Sequence, residues 1–84
     1  MRDIPLQLPT QLGAIVRALR KSRGLTQQEL AERLSVTRQA VSLLEQRPEA
    51  ATLERLMRVL AVLGVDVVLR PREATPSPVI ATDW

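Results

Sequence analysis

TQQELAERLSVTRQAVSLLEQ, residues 26–46, is the stretch on which the fold turns, because it holds two short helices separated by a very tight gap. Thr26 to Glu29 fits a capping box: the Thr26 hydroxyl accepts the amide of Glu29, and the Glu29 carboxylate reaches back to the amide of Thr26. Leu30, Ala31 and Leu34 then form the buried side of a helix of about two to three turns, a length that persists only if something packs against it. After Ser35 and Val36, Thr37 caps a second helix. This one has Ala40, Val41 and Leu44 inward and Arg38, Gln39, Ser42 and Glu45 on its polar side. Two such helices joined by so short a turn must cross steeply.

Working outward, residues 1–9, with Pro5 and Pro9, read as an arm without regular structure. Thr10 is expected to cap a helix carrying Leu12, Ile15, Val16 and Leu19 on one face, with Gly24 as its stop. Downstream, Pro48 ends the helix begun at Thr37, and a loop over residues 47–51 leads to Thr52. Thr52 caps a further helix with Leu53, Leu56, Met57 and Leu60 inward, Arg55 and Arg58 on the other side, and Gly64 as its stop. Residues 10–63 thus form the helical domain. Within residues 64–70, Val65, Val67, Val68 and Leu69 mark a short strand. No second strand is evident, so the segment either pairs with its equivalent in another copy or is an ordinary extended loop. Pairing is the reading adopted, because it satisfies the backbone and covers the valines. Residues 71–84 are proline-rich and aperiodic, and are expected to be a disordered tail in which Val79, Ile80 and Trp84 have nothing to bury against.

Composition narrows the function. A chain of 84 residues has room for one domain, and so small a domain gains from dimerisation. There is no Cys and no His, which removes thiolate chemistry, imidazole bases and the usual zinc ligands. No acidic pair has a spacing that suggests a pocket, so an enzyme, a cofactor and a small-molecule ligand are not expected. The sequence shows neither a signal peptide nor a membrane span, which makes the cytoplasm the expected compartment. The basic charge is concentrated in residues 1–48, which hold eight basic and four acidic groups, against four and five in residues 49–84. It is the first half that should face a polyanion.

The segment from Leu25 to Gln46 resembles the helix-turn-helix of the Xre/Cro family of phage and bacterial repressors, and the helices on either side extend the resemblance over residues 10–63. It implies a mainly α, lambda-repressor-like domain of four to five helices. Ser35 departs from the pattern, since the family commonly has Gly where the turn needs positive φ. By carry-over, the helix after Thr37 enters the major groove of double-stranded operator DNA, where Thr37, Arg38, Gln39 and Ser42 face base edges. Arg38 suits guanine and Gln39 adenine. Gln27 and Gln28 fall where the family meets phosphate. The relatives also imply an internal ion pair between Arg20 and Glu45. Leu43, beside Gln39 on the wheel, either meets a thymine methyl or covers the edge of the core, and the second reading is adopted here. The four helices, the short strand and the tail together resemble one branch of the family, the HipB-type antitoxins. That resemblance implies a homodimer joined through Val65, Val67, Val68 and Leu69, a palindromic operator, nucleoid association, and a HipA-like kinase toxin bound through Val79, Ile80 and Trp84. The alternatives are a stand-alone repressor of the Xre family and a protein adaptor that binds no DNA.

Overall fold

The computed structural model describes residues 3–72, in which four α-helices and one 3₁₀ turn follow in order. They are α1 (Pro9–Ser22), α2 (Gln27–Leu34), α3 (Arg38–Gln46), the 3₁₀ turn Pro48–Ala50, and α4 (Leu53–Val62). The loop expected over residues 47–51 therefore contains a turn of its own. Val79, Ile80 and Trp84, expected to bind a partner, lie outside the described residues.

Three of the helix starts are set by threonine. Thr26 Oγ1 accepts the amide of Glu29 at 3.0 Å while Glu29 Oε1 accepts the amide of Thr26 at 2.8 Å, which completes the capping box. Those hydrogen bonds, backbone first, hold the Glu29 carboxyl below its ordinary value. The stabilisation is therefore full above the usual glutamate range and fades as pH falls through the lowered value. Thr37 and Thr52 likewise accept the amides of Ala40 and Arg55, each at 3.1 Å. The start of α1 corrects the sequence reading. It begins at Pro9 with Leu8 as its N-cap, and Thr10 lies inside the first turn. Gln11 Oε1 accepts the amides of Gln7 and Leu8 at 2.8 and 2.9 Å, so a glutamine reaching backward does what a threonine cap was expected to do.

Three helices end in one way. Gly24, Ser35 and Gly64 each adopt a left-handed conformation. The next residue then donates its amide five positions back: Leu25 to Arg20, Val36 to Ala31 and Val65 to Leu60. Leu25, Val36 and Val65 pack against the core, so each stop also turns an apolar side chain inward. Ser35 pays a steric cost that glycine does not, since left-handed backbone costs an ordinary L-residue roughly 1–2 kcal/mol. Its φ is 58°. Ser35→Gly should therefore stabilise the domain by about 0.5–1 kcal/mol after the added freedom of the unfolded chain is discounted. That corresponds to a rise in Tm of a few degrees, read by thermal melting. An unchanged or lower Tm contradicts strain at this turn.

The core gathers Val16 and Leu19 of α1, Leu30, Ala31 and Leu34 of α2, Val41 and Leu44 of α3, and Val59 and Leu60 of α4, with Leu63 just beyond. Leu12, Ile15 and Leu56 flank it. Gly13 is also buried, with its Cα against the Glu45 carbonyl. Arg58 Nη2 donates to the carbonyl of Leu34 at 3.0 Å, which ties α4 to the open end of α2. Two inward assignments fail. Leu53 is 74% exposed and Met57 47% exposed, because the core-facing line of α4 runs through Leu56, Val59, Leu60 and Leu63. Leu43 is also outside, 50% exposed, and does not cover the core edge. No strand forms among the described residues. Residues 65–70 have no regular structure and no ladder partner among the described residues, and Val67, Val68 and Leu69 are exposed.

Candidate nucleic-acid interface

The helix-turn-helix is held together by one polar chain that begins inside the protein and ends on its surface. Arg20 Nε donates to Glu45 Oε2 at 2.6 Å and its Nη2 to Glu45 Oε1 at 3.3 Å, so the fork of the guanidinium meets both carboxylate oxygens. A third donor, Nη1, reaches the carbonyl of Leu25 at 2.8 Å. The two side chains are only 9% and 4% exposed. The internal pair expected between Arg20 and Glu45 is thus present, and it joins α1 to α3.

Glu45 passes the chain outward. Its Oε1 also accepts from Gln27 Nε2 at 3.1 Å, and Gln27 Oε1 accepts from Arg38 Nη1 at 3.1 Å. A carboxylate can only accept and a guanidinium can only donate, so one orientation of the Gln27 amide fits both neighbours. The sequence reading placed Gln27 on phosphate. Its side chain is half-buried and bonded to Glu45 on one side and Arg38 on the other. Nothing in the local sequence reveals this, because the partners are 18 and 11 residues away.

The remaining candidates sit around this chain. Thr37 spends a hydroxyl lone pair on its capping bond and stays exposed at the start of α3. Arg38 uses one of a guanidinium's five N–H groups on Gln27 and keeps the others at the exposed end of the helix. Gln39 is exposed, Ser42 is half-buried, and Ser42 Oγ accepts from Gln46 Nε2 at 3.4 Å along the helix. Gln28 is exposed on α2, with its amide 3.4 Å from Glu32. The Gln27–Arg38 bond sets the first turn of α2 beside that of α3, so that Gln27, Thr37, Arg38 and Gln39 share one neighbourhood, and Gln28 follows Gln27 in the first turn of α2.

Such an arrangement suits a surface that presents donors to acceptor-rich edges. A family model described as helix-turn-helix matches residues 16–69. The chain belongs to the helix-turn-helix family. Among curated proteins it is 31% identical over 61 residues to antitoxin HipB of Escherichia coli (strain K12), an alignment spanning 73% of this chain and 69% of that protein. It is also 44% identical over 50 residues to an uncharacterized HTH-type transcriptional regulator of Methanothermobacter thermautotrophicus, across 60% of this chain and 72% of that one. A chain from a solved HipB-O1-O2 complex superposes with a TM-score of 0.75 at 28% identity, covering 82% of this chain and all (100%) of that one. A chain from a HipA-HipB-O2-O3 complex gives 0.76 at 27% identity, covering 84% and 100%. This helix-turn-helix protein is therefore a DNA-binding regulator related to the HipB antitoxins. Among the described residues, no helix is long and apolar enough to cross a membrane.

Proposed function

We propose that this helix-turn-helix protein is a sequence-specific transcriptional repressor and the antitoxin of a type II toxin–antitoxin pair. It binds a palindromic operator as a homodimer and neutralises a HipA-like kinase toxin, acting in the cytoplasm on the nucleoid. The observation that carries the DNA-reading half is the chain from Arg20 through Glu45 and Gln27 to Arg38, which holds a cationic fork at the exposed start of α3. On this reading Arg38 takes guanine and Gln39 adenine, each worth roughly 1–3 kcal/mol of discrimination. Thr37 and Ser42 add shorter-range contacts, and Gln28 meets the phosphate backbone. Gln27 acts through Arg38, with the second N–H of its amide free for a phosphate.

The dimer is supported by the apolar groups that a single chain leaves uncovered. Val67, Val68 and Leu69 are exposed on a segment without ladder partners among the described residues, and Leu69 is 90% exposed. Pairing Val65, Val67, Val68 and Leu69 with the same residues of a second copy would satisfy those backbone groups and cover the side chains. Leu53 and Met57 add apolar surface on α4. The toxin half rests on relatedness to HipB and on Val79, Ile80 and Trp84, whose apolar bulk suits a segment that orders on a partner.

Two variants separate the halves. Arg38→Ala should weaken binding to the preferred duplex by about tenfold to a hundredfold, as for one good base contact. Deleting residues 79–84 should leave that affinity unchanged and abolish co-purification with the toxin. A mobility-shift assay and a pull-down with the kinase-like product of the neighbouring reading frame read both. If Arg38→Ala binds as tightly as the parent, Arg38 does not read DNA. If the deletion leaves toxin binding intact, or no neighbouring product binds at all, the antitoxin reading falls and a stand-alone repressor stands in its place.

A further inference from the structure

Leu43 is the one leucine of α3 that the core does not use. Val41 and Leu44 on either side of it are buried, whereas Leu43 is 50% exposed. At about 100° per residue it stands roughly 160° round the helix from Val41, on a line with Gln39 one turn before it and Gln46 one turn after. This line is the outermost of α3. A lone exposed leucine on another helix carries no message. Here it interrupts a row of amides on the face farthest from the core, the face that lies deepest when the helix enters a groove.

The base edges of the major groove present polar donors and acceptors and one apolar group, the C5-methyl of thymine. We propose that Leu43 is a specificity-determining residue that reads thymine by closing over this methyl group, while Gln39 on the preceding turn bonds a neighbouring base pair. The proposal rests on the DNA-reading function given above. Four residues of helix rise about 6 Å, against roughly 3.4 Å per base step. The thymine therefore lies one or two base pairs from the base that Gln39 contacts.

Replacing thymine by uracil deletes the methyl group and leaves every hydrogen-bonding atom of the base pair in place. One buried carbon is worth ~0.8 kcal/mol, a factor of about four in affinity. The test takes the full chain and the duplex it selects from a random library, then scans each thymine in one half-site by uracil substitution. One position should weaken binding about fourfold in the parent. In Leu43→Ala the same substitution should have no effect, and in Leu43→Met, which keeps the apolar reach, it should again weaken binding. Both variants lie on exposed surface, and their helicity by circular dichroism confirms folding. If no uracil changes the affinity, or if the sensitive position stays as sensitive in Leu43→Ala, the thymine reading is overturned while DNA binding stands. If the parent selects no duplex at all, both proposals fall together.

Discussion

Glu45→Ala is expected to cost about 3–5 kcal/mol of folding free energy, the usual penalty for stripping one partner from a buried ion pair. The carboxylate is the hub of the helix-turn-helix, bonded by Arg20 at 2.6 and 3.3 Å and by Gln27 at 3.1 Å. Alanine leaves the Arg20 guanidinium, on a side chain only 9% exposed, with the Leu25 carbonyl as its remaining bonded partner. The whole stability of a chain of 84 residues is on the order of 4–13 kcal/mol, so the variant should be partly unfolded near 37 °C. Denaturant melts followed by circular dichroism would show it. The paired change of Arg20→Met with Glu45→Leu removes both charges together and should recover most of the loss, because an apolar pair of similar volume avoids the desolvation penalty. It should not recover full DNA affinity, since Gln27 then has no carboxylate to hold the amide that positions Arg38. A Glu45→Ala protein as stable as the parent would mean that the pair contributes nothing.

Gly13→Ala is expected to destabilise by about 1–3 kcal/mol, although alanine is the better helix former. An added Cβ would stand 2.2 Å from the backbone oxygen of Glu45 and 3.2 Å from Pro48 Cδ. The nearer obstacle is main chain and cannot rotate away. The helices α1 and α3 must move apart, and that motion also pulls Arg20 from Glu45. The effects of Gly13→Ala and Glu45→Ala should accordingly fall short of additive when combined. A Gly13→Ala protein more stable than the parent by melting would show that α1 and α3 do not approach as described.

Much of this architecture is legible in the sequence because the relevant signals are local. Thr26 with Glu29, Thr37 and Thr52 each act within three residues, and each starts a helix where its spacing says. The requirement for positive φ at Ser35 is implied by the family pattern, and Ser35 meets it. Most of what escapes the sequence depends on distant partners, the start of α1 excepted. Gln11 displaces Thr10 as the group that completes the start of α1, because a side chain reaching backward competes with a cap. The tight seat of Gly13 belongs to α3 as much as to α1. Periodicity marks Leu53 and Met57 as apolar, but cannot separate a core face from one left for another molecule. The same limit applies to residues 65–70, where a strand needs a ladder partner and none stands among the described residues. Gln27 is the instructive site residue: its place at the head of α2 is evident from sequence, and its commitment to Glu45 and Arg38 is not.

The central claim is that the exposed start of α3 reads a DNA sequence from two symmetry-related copies. Selection of duplexes from a random library by the full-length protein, followed by sequencing of the bound pool, tests it most directly. The expected result is a palindrome whose half-sites are centred roughly 34 Å apart or a multiple of that distance, with the guanine preference at one position lost in Arg38→Ala. A bound pool with no enriched sequence, or one whose base preferences Arg38→Ala leaves unchanged, would contradict it.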